Sequence, residues 1–144
     1  MTLIDQLKTQ LRRDEGVRTK PYDDEGLPIR GKVTIGVGRN LTDVGLYPDE
    51  IDYLLDNDLA RRIAALQSAL PWTLNLDDAR KGVLLNMAFN MGINGLLEFR
   101  NMLKLVQSGD YVGAAQAMLD SEWDKEVGDR AHRLSLQMES GDWQ

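Results

Sequence analysis

The chain has 144 residues, a formal net charge of −6, 42% hydrophobic residues and no cysteine. That length fits one domain, or two small lobes sharing a chain, with enough apolar content for a core. Lack of cysteine excludes a disulfide framework and thiolate chemistry, and the acidic balance argues against an electrostatic nucleic-acid surface.

In chain order, Met1–Lys8 carries charges where a signal peptide needs an apolar core, so no export signal is expected. Leu3, Ile4, Leu7 and Leu11 have the spacing of an amphipathic helix, with Gly16 as its stop. Residues 17–40 change character. Pro21, Gly26, Pro28, Gly31, Gly36 and Gly38 break any helix, while Val33–Val37 is β-branched and partly alternating, which predicts a small antiparallel sheet. Asp23-Asp24-Glu25-Gly26 is turn chemistry within it.

Pro48-Asp49-Glu50 opens a second helix, with proline in the first turn and acids matching the helix dipole. Its stripe runs from Ile51 through Leu54, Leu55, Leu59, Ile63 and Leu66 to Leu70. Some 22 residues give roughly 33 Å of helix, long enough to join two lobes. Asp77 is a candidate cap for a helix carrying Val83, Leu84, Met87, Ala88 and Met91 and ending at Gly92. Leu96–Val106 (stopped by Gly109), Tyr111–Leu119 and Asp129–Met138 (stopped by Gly141) complete the helices. No apolar run approaches the roughly 18 residues that span a membrane.

The chemistry concentrates near the N-terminus. Glu15 closes the first helix, one or two aspartates follow in the turn, and Thr34 lies in the sheet. Two carboxyl groups and a hydroxyl on one hairpin suit glycosidic-bond hydrolysis, with one carboxyl donating a proton while the other helps water attack the sugar. Such residues also occur as solvated surface charges and strand packing, so the pattern alone is unspecific.

The order of motifs narrows it. Asp14-Glu15-Gly16-Val17-Arg18, Lys20-Pro21-Tyr22-Asp23-Asp24 and Val33-Thr34-Ile35-Gly36-Val37-Gly38 are followed by Leu85–Gly92, Asp129–Arg133 and Gly141-Asp142-Trp143. This series resembles the phage-type lysozymes, the T4 lysozyme-like muramidase and endolysin family, over nearly the whole chain. The resemblance implies an α+β fold in which a small sheet-containing lobe is joined by a long helix to a larger helical lobe, with a cleft between. It implies a single domain over 1–144: a helix over 1–13 packed with the C-terminal lobe, a small lobe over 14–47, a connecting helix over 48–70 and a helical lobe over 71–144.

By that resemblance Glu15 is the proton donor, kept protonated by partial burial for which Leu11 and Val17 are candidate neighbours. The family's Tyr-x-Asp register points to Asp24 as the second carboxylate, with Asp23 as its competitor. Thr34 would position the attacking water. Gly36 and Gly38 would let sugar approach the backbone, or are turn glycines. Asn90 and Arg130, with Asn86, would line the far wall, Arg130 close to Glu15. Arg39 stands where relatives often have histidine, and the family pattern predicts an ion pair with Asp58.

The function implied is an endolysin cleaving the β-1,4 bond between N-acetylmuramic acid and N-acetylglucosamine, with inversion. No metal or organic cofactor is indicated. The expected partner is bacterial peptidoglycan, with no nucleic acid and no membrane anchor. A monomer is expected, held in the host cytoplasm until a holin opens the way to the wall. An anionic wall polymer must then be attracted by the local set Arg18, Lys20, Arg30, Lys32 and Arg39, since residues 48–144 hold nine bases against sixteen acids. Rival readings are a catalytically silent wall-binding or virion module, and a lytic transglycosylase, which needs only one acid.

Overall fold

The computed structural model describes residues 1–23 and 31–144. They form two compact units, Met1–Tyr53 and Leu54–Gln144. The described residues hold seven α-helices and one three-stranded antiparallel sheet, the α+β class expected.

The first unit opens with α1 (Leu3–Glu15). Thr2 accepts the Asp5 amide at 3.2 Å, and the Asp5 carboxylate accepts the Thr2 amide at 3.0 Å. This capping box satisfies amide groups that the first helical turn leaves unpaired. Gly16 ends the helix and the chain enters β1 (Arg18–Asp23), followed by β2 (Val33–Gly36) and β3 (Arg39–Asn40), in spatial order β1-β2-β3. Tyr22 pairs with Thr34 and Asp23 with Val33, but the register shifts between Arg18 and Tyr22. Pro21 lies in that irregular stretch, where its missing N–H costs the ladder nothing.

α2 (Pro48–Ala69) begins in the first unit and continues into the second. A 3₁₀ turn over Pro71–Asn75 then leads to α3 (Asp78–Leu97), α4 (Arg100–Ser108), α5 (Tyr111–Leu119), α6 (Glu122–Val127) and α7 (Asp129–Ser140). Asp77 caps α3 as expected, accepting the Arg80 amide at 3.0 Å. The backbone leaves helical geometry at Gly92 (φ 80, ψ 163), but the helical path resumes and runs to Leu97. Neither α6 nor the 3₁₀ turn was expected from the sequence. α6 is six residues long and buries only Trp123, too little to set a periodic signal.

The core lies in the second unit. Leu84, Met87, Leu96, Met102, Met118 and Met138 are fully buried there. Four of these six are methionines, whose unbranched thioethers fill irregular gaps between short helices. α7 packs against α3 and α5. The Ser135 hydroxyl donates to the Ala115 carbonyl at 3.1 Å, and the Gln137 amide donates to the Ala79 carbonyl at 2.8 Å. Arg80 joins the same region, donating to the Met138 and Glu139 carbonyls at 2.8 Å each. The Trp143 ring covers Gly82, where any Cβ would collide with it.

Candidate active site

Glu15 is the last residue of α1 and is exposed. Its carboxylate rests on the turn between β2 and β3: a Cβ on Gly38 would stand 3.3 Å from Glu15 Oε2. Gly36 and Gly38 have φ of 68° and 70°, which glycine adopts without the penalty a side chain would carry. The chain therefore offers bare backbone where the carboxylate sits. Leu11 and Val17, proposed above as its apolar cover, are 41% and 59% exposed.

Thr34 is buried in the middle strand, opposite Tyr22 on β1 and Asn40 on β3. The β2–β3 hairpin thus carries Thr34 on one arm and, at its turn, the glycine that meets Glu15. Asp24 lies outside the described residues. Its competitor Asp23 is buried, and its Oδ2 accepts the Gly31 amide at 3.2 Å. Around Gly36 a Cβ would meet nothing within 4 Å, so that side of the turn is open.

Arg39 does not pair with Asp58. Its guanidinium grips Glu50 with two bonds of 2.6 Å, Nη1 to Oε2 and Nη2 to Oε1. Nη1 also donates to the Gly45 carbonyl at 3.3 Å, and the guanidinium lies 5.5 Å from the Tyr47 ring centre. Glu50 Oε2 additionally accepts the Tyr47 amide at 2.8 Å. These bonds, the Arg39 fork first, pull the Glu50 carboxyl down to about 2. Asp58 is instead 4.0 Å from Arg61, one helical turn on. The expected carboxylate partner on α2 is present, but it is the one in the first turn. The signal for it was local: Glu50 stands three residues after Tyr47, where a helix-start carboxylate reaches back.

The basic set proposed to attract an anionic polymer is partly neutralised. Lys32 pairs with Asp43 and Arg39 with Glu50, while Arg18 sits 5.5 Å over the Tyr22 ring. Arg30 lies outside the described residues. The Lys32 ammonium also holds the Asp43 carboxyl below its usual range, chiefly through their hydrogen bond.

In the second unit, Asn90 Oδ1 accepts the Trp123 indole N–H at 3.0 Å. Trp123 in turn meets Phe99 edge-on, centroids 6.4 Å apart. Arg130 Nε donates to Asn86 Oδ1 at 2.9 Å, and its Nη2 reaches the Asn86 carbonyl at 3.4 Å. Asn86, Asn90 and Arg130 are therefore held by bonds inside their own unit. His132 stands beside Asp124 at 3.5 Å on the surface of α7. Among the described residues no group of three or more His, Cys, Asp or Glu side chains is placed to hold a metal ion. None of the described helices is long and apolar enough to cross a membrane.

Comparison with known proteins gives the family. The chain is 26% identical to "Probable T4-type lysozyme 1" of Dictyostelium discoideum, over 96% of each chain. It is 25% identical to "Probable T4-type lysozyme 2" of the same organism, again over 96% of each. It is 33% identical to the "Pre-baseplate central spike protein Gp5" of Enterobacteria phage T4, over 88% of this chain but only 26% of that longer protein. The family described as Phage lysozyme matches residues 12–137, a span that includes the helix-end glutamate and the strand threonine. The chain belongs to the phage lysozyme family and is a glycoside hydrolase of the lysozyme type.

Proposed function

We propose that this lysozyme is an endolysin that hydrolyses the β-1,4 bond between N-acetylmuramic acid and N-acetylglucosamine of peptidoglycan, for host-cell lysis. The observation that carries the reading is the seat of Glu15 against Gly38, on the hairpin that also bears Thr34, inside the span of the family match. Glu15 protonates the glycosidic oxygen, which is otherwise a poor leaving group. Asp24 activates a water on the opposite face of the sugar and stabilises oxocarbenium-like charge, and the Thr34 hydroxyl positions that water. The bond from the buried Asp23 carboxylate to the Gly31 amide supports a structural role for Asp23, leaving the catalytic one to Asp24. Gly36 offers open space beside the turn for sugar.

In this reading the outcome is inversion at the anomeric carbon. The enzyme works as a monomer and waits in the host cytoplasm until a holin opens the membrane. Product analysis on purified peptidoglycan tests the chemistry. Free reducing N-acetylmuramic acid ends, formed first as the α-anomer, support it. Anhydro-muramic ends would assign a transglycosylase, and retained β-anomer would remove the inverting mechanism.

A second reading is favoured by the 33% identity to a central spike protein. In that reading the lysozyme activity of this chain is carried on a virion. Mass spectrometry of purified particles separates the two, since an endolysin is absent from them and a spike component is present in fixed copy number.

A further inference from the structure

The Glu15 seat and the Thr34 strand share one neighbour. Arg39 follows Gly38 directly in the chain and pairs with Ile35 across the ladder, while the next residue, Asn40, pairs with Thr34. The backbone of Arg39 therefore lies between the glycine under the carboxylate and the strand position facing the threonine. Its side chain reaches the first turn of α2, with both guanidinium arms 2.6 Å from Glu50. We propose that Arg39, held by Glu50, is a positioning residue for the reaction: the pair fixes the turn on which Glu15 rests and the strand that faces Thr34. This rests on the reading of Glu15 as the acid.

Magnitudes favour geometry over stability as the role of this pair. Both side chains remain about one-third exposed, at 34% and 30%. Ion pairs of such exposure contribute little stability. A bidentate fork, however, defines distance and plane together, which a lysine ammonium cannot do. Glu50 is itself fixed by the Tyr47 amide, so the clamp is anchored at its helix end. Displacing a catalytic group by about 1 Å can cost on the order of 100-fold in rate.

The test uses the full chain with Arg39→Ala, Arg39→Lys and Glu50→Gln. The glutamine keeps an acceptor for the Tyr47 amide but loses the charge-paired fork. For each folded variant, kcat and KM on purified peptidoglycan are measured well below its melting temperature. The Glu15 side-chain carboxyl resonance is followed by carbon-13 NMR. We expect kcat to fall about tenfold or more with KM little changed, because the loss is in the transition state alone. Lysine should restore only part, and the Glu15 resonance should move in every variant. A lower melting temperature with wild-type kcat, or an unmoved Glu15 resonance, would overturn the proposal. Should Arg39→Ala not fold, the other two variants decide. Should the wild type release no sugar ends, the proposed function fails by itself, and the Glu15 resonance alone then decides for or against the clamp.

Discussion

At the end of β1 the buried carboxylate of Asp23 accepts the Gly31 amide at 3.2 Å, joining the two chain ends that flank residues 24–30. An acceptor spent on a backbone amide is committed to structure. Asp23→Ala removes this hydrogen bond to a charged acceptor and should cost about 1–3 kcal/mol of stability. Asp24→Asn should leave the melting temperature unchanged and remove most of the lytic activity. Thermal unfolding and a turbidity assay on permeabilised Gram-negative cells check both. A stable but inactive Asp23→Asn protein would transfer the second carboxylate role to Asp23.

The two glycines of the β2–β3 turn should respond differently to the same change. Alanine at either position meets positive φ, a strain of about 1–3 kcal/mol. Beside Gly36 the added methyl has open space, whereas at Gly38 it stands 3.3 Å from Glu15 Oε2 and pushes the carboxylate aside. Melting temperatures of Gly36→Ala and Gly38→Ala should therefore fall alike, while kcat falls further for Gly38→Ala. Equal kcat in the two variants would show that Gly38 does not set the Glu15 position.

The Arg39–Glu50 pair also gives a signed pH dependence. The Glu50 carboxyl is depressed to about 2 in the folded chain, below the usual glutamate value of about 4.3 in an unfolded one. Its contribution is present in full above the unfolded value and is lost as pH falls through the folded one. Wild type and Glu50→Gln should differ only slightly in melting temperature near neutral pH, as befits a pair one-third exposed, and that small gap should close between about pH 4.3 and about pH 2. A gap that persists unchanged to pH 2 would mean that the charge is not what stabilises this joint.

Arg80 is the matching joint of the helical unit. It donates to two carbonyls at the end of α7 and lies 3.7 Å from the Tyr111 ring centre. Its side chain is only 16% exposed. Arg80→Ala leaves those carbonyls without their charged donor and should lower stability by about 2–3 kcal/mol. Chemical denaturation measures this directly. A change under about 0.5 kcal/mol, the range of ordinary surface substitutions, would contradict it.

Much of this architecture was legible in the chain because its signals are local. The stripe from Leu3 to Leu11 with Gly16 after it marks α1, and Pro48-Asp49-Glu50 marks the start of α2. The glycine and proline punctuation of 17–40 marks the sheet. What stayed hidden depended on choices between equivalent groups. Five carboxylates lie between Asp49 and Asp58, and only the path of the chain through Gly45 and Tyr47 selects Glu50 for Arg39. Gly92 reads as a helix stop and the backbone does leave helical geometry there, but the short helical stretch that follows it to Leu97, with Leu96 fully buried, carries too few residues to show a period of its own. Asn90 reads as a free polar wall, and its bond to Trp123 spans 33 residues, beyond any local pattern. The carboxylate seat at Gly38 is likewise a contact between elements, visible only once the hairpin is folded.

The most direct measurement compares wild type with Glu15→Gln in the release of reducing ends from purified peptidoglycan, alongside the melting temperature of each. The amide is nearly isosteric but has no acidic proton to give, and general-acid catalysis is worth about 10²–10⁴-fold. The expected result is a rate lower by about that factor, with the melting temperature unchanged. A folded Glu15→Gln protein releasing ends at the wild-type rate would contradict the account at its centre.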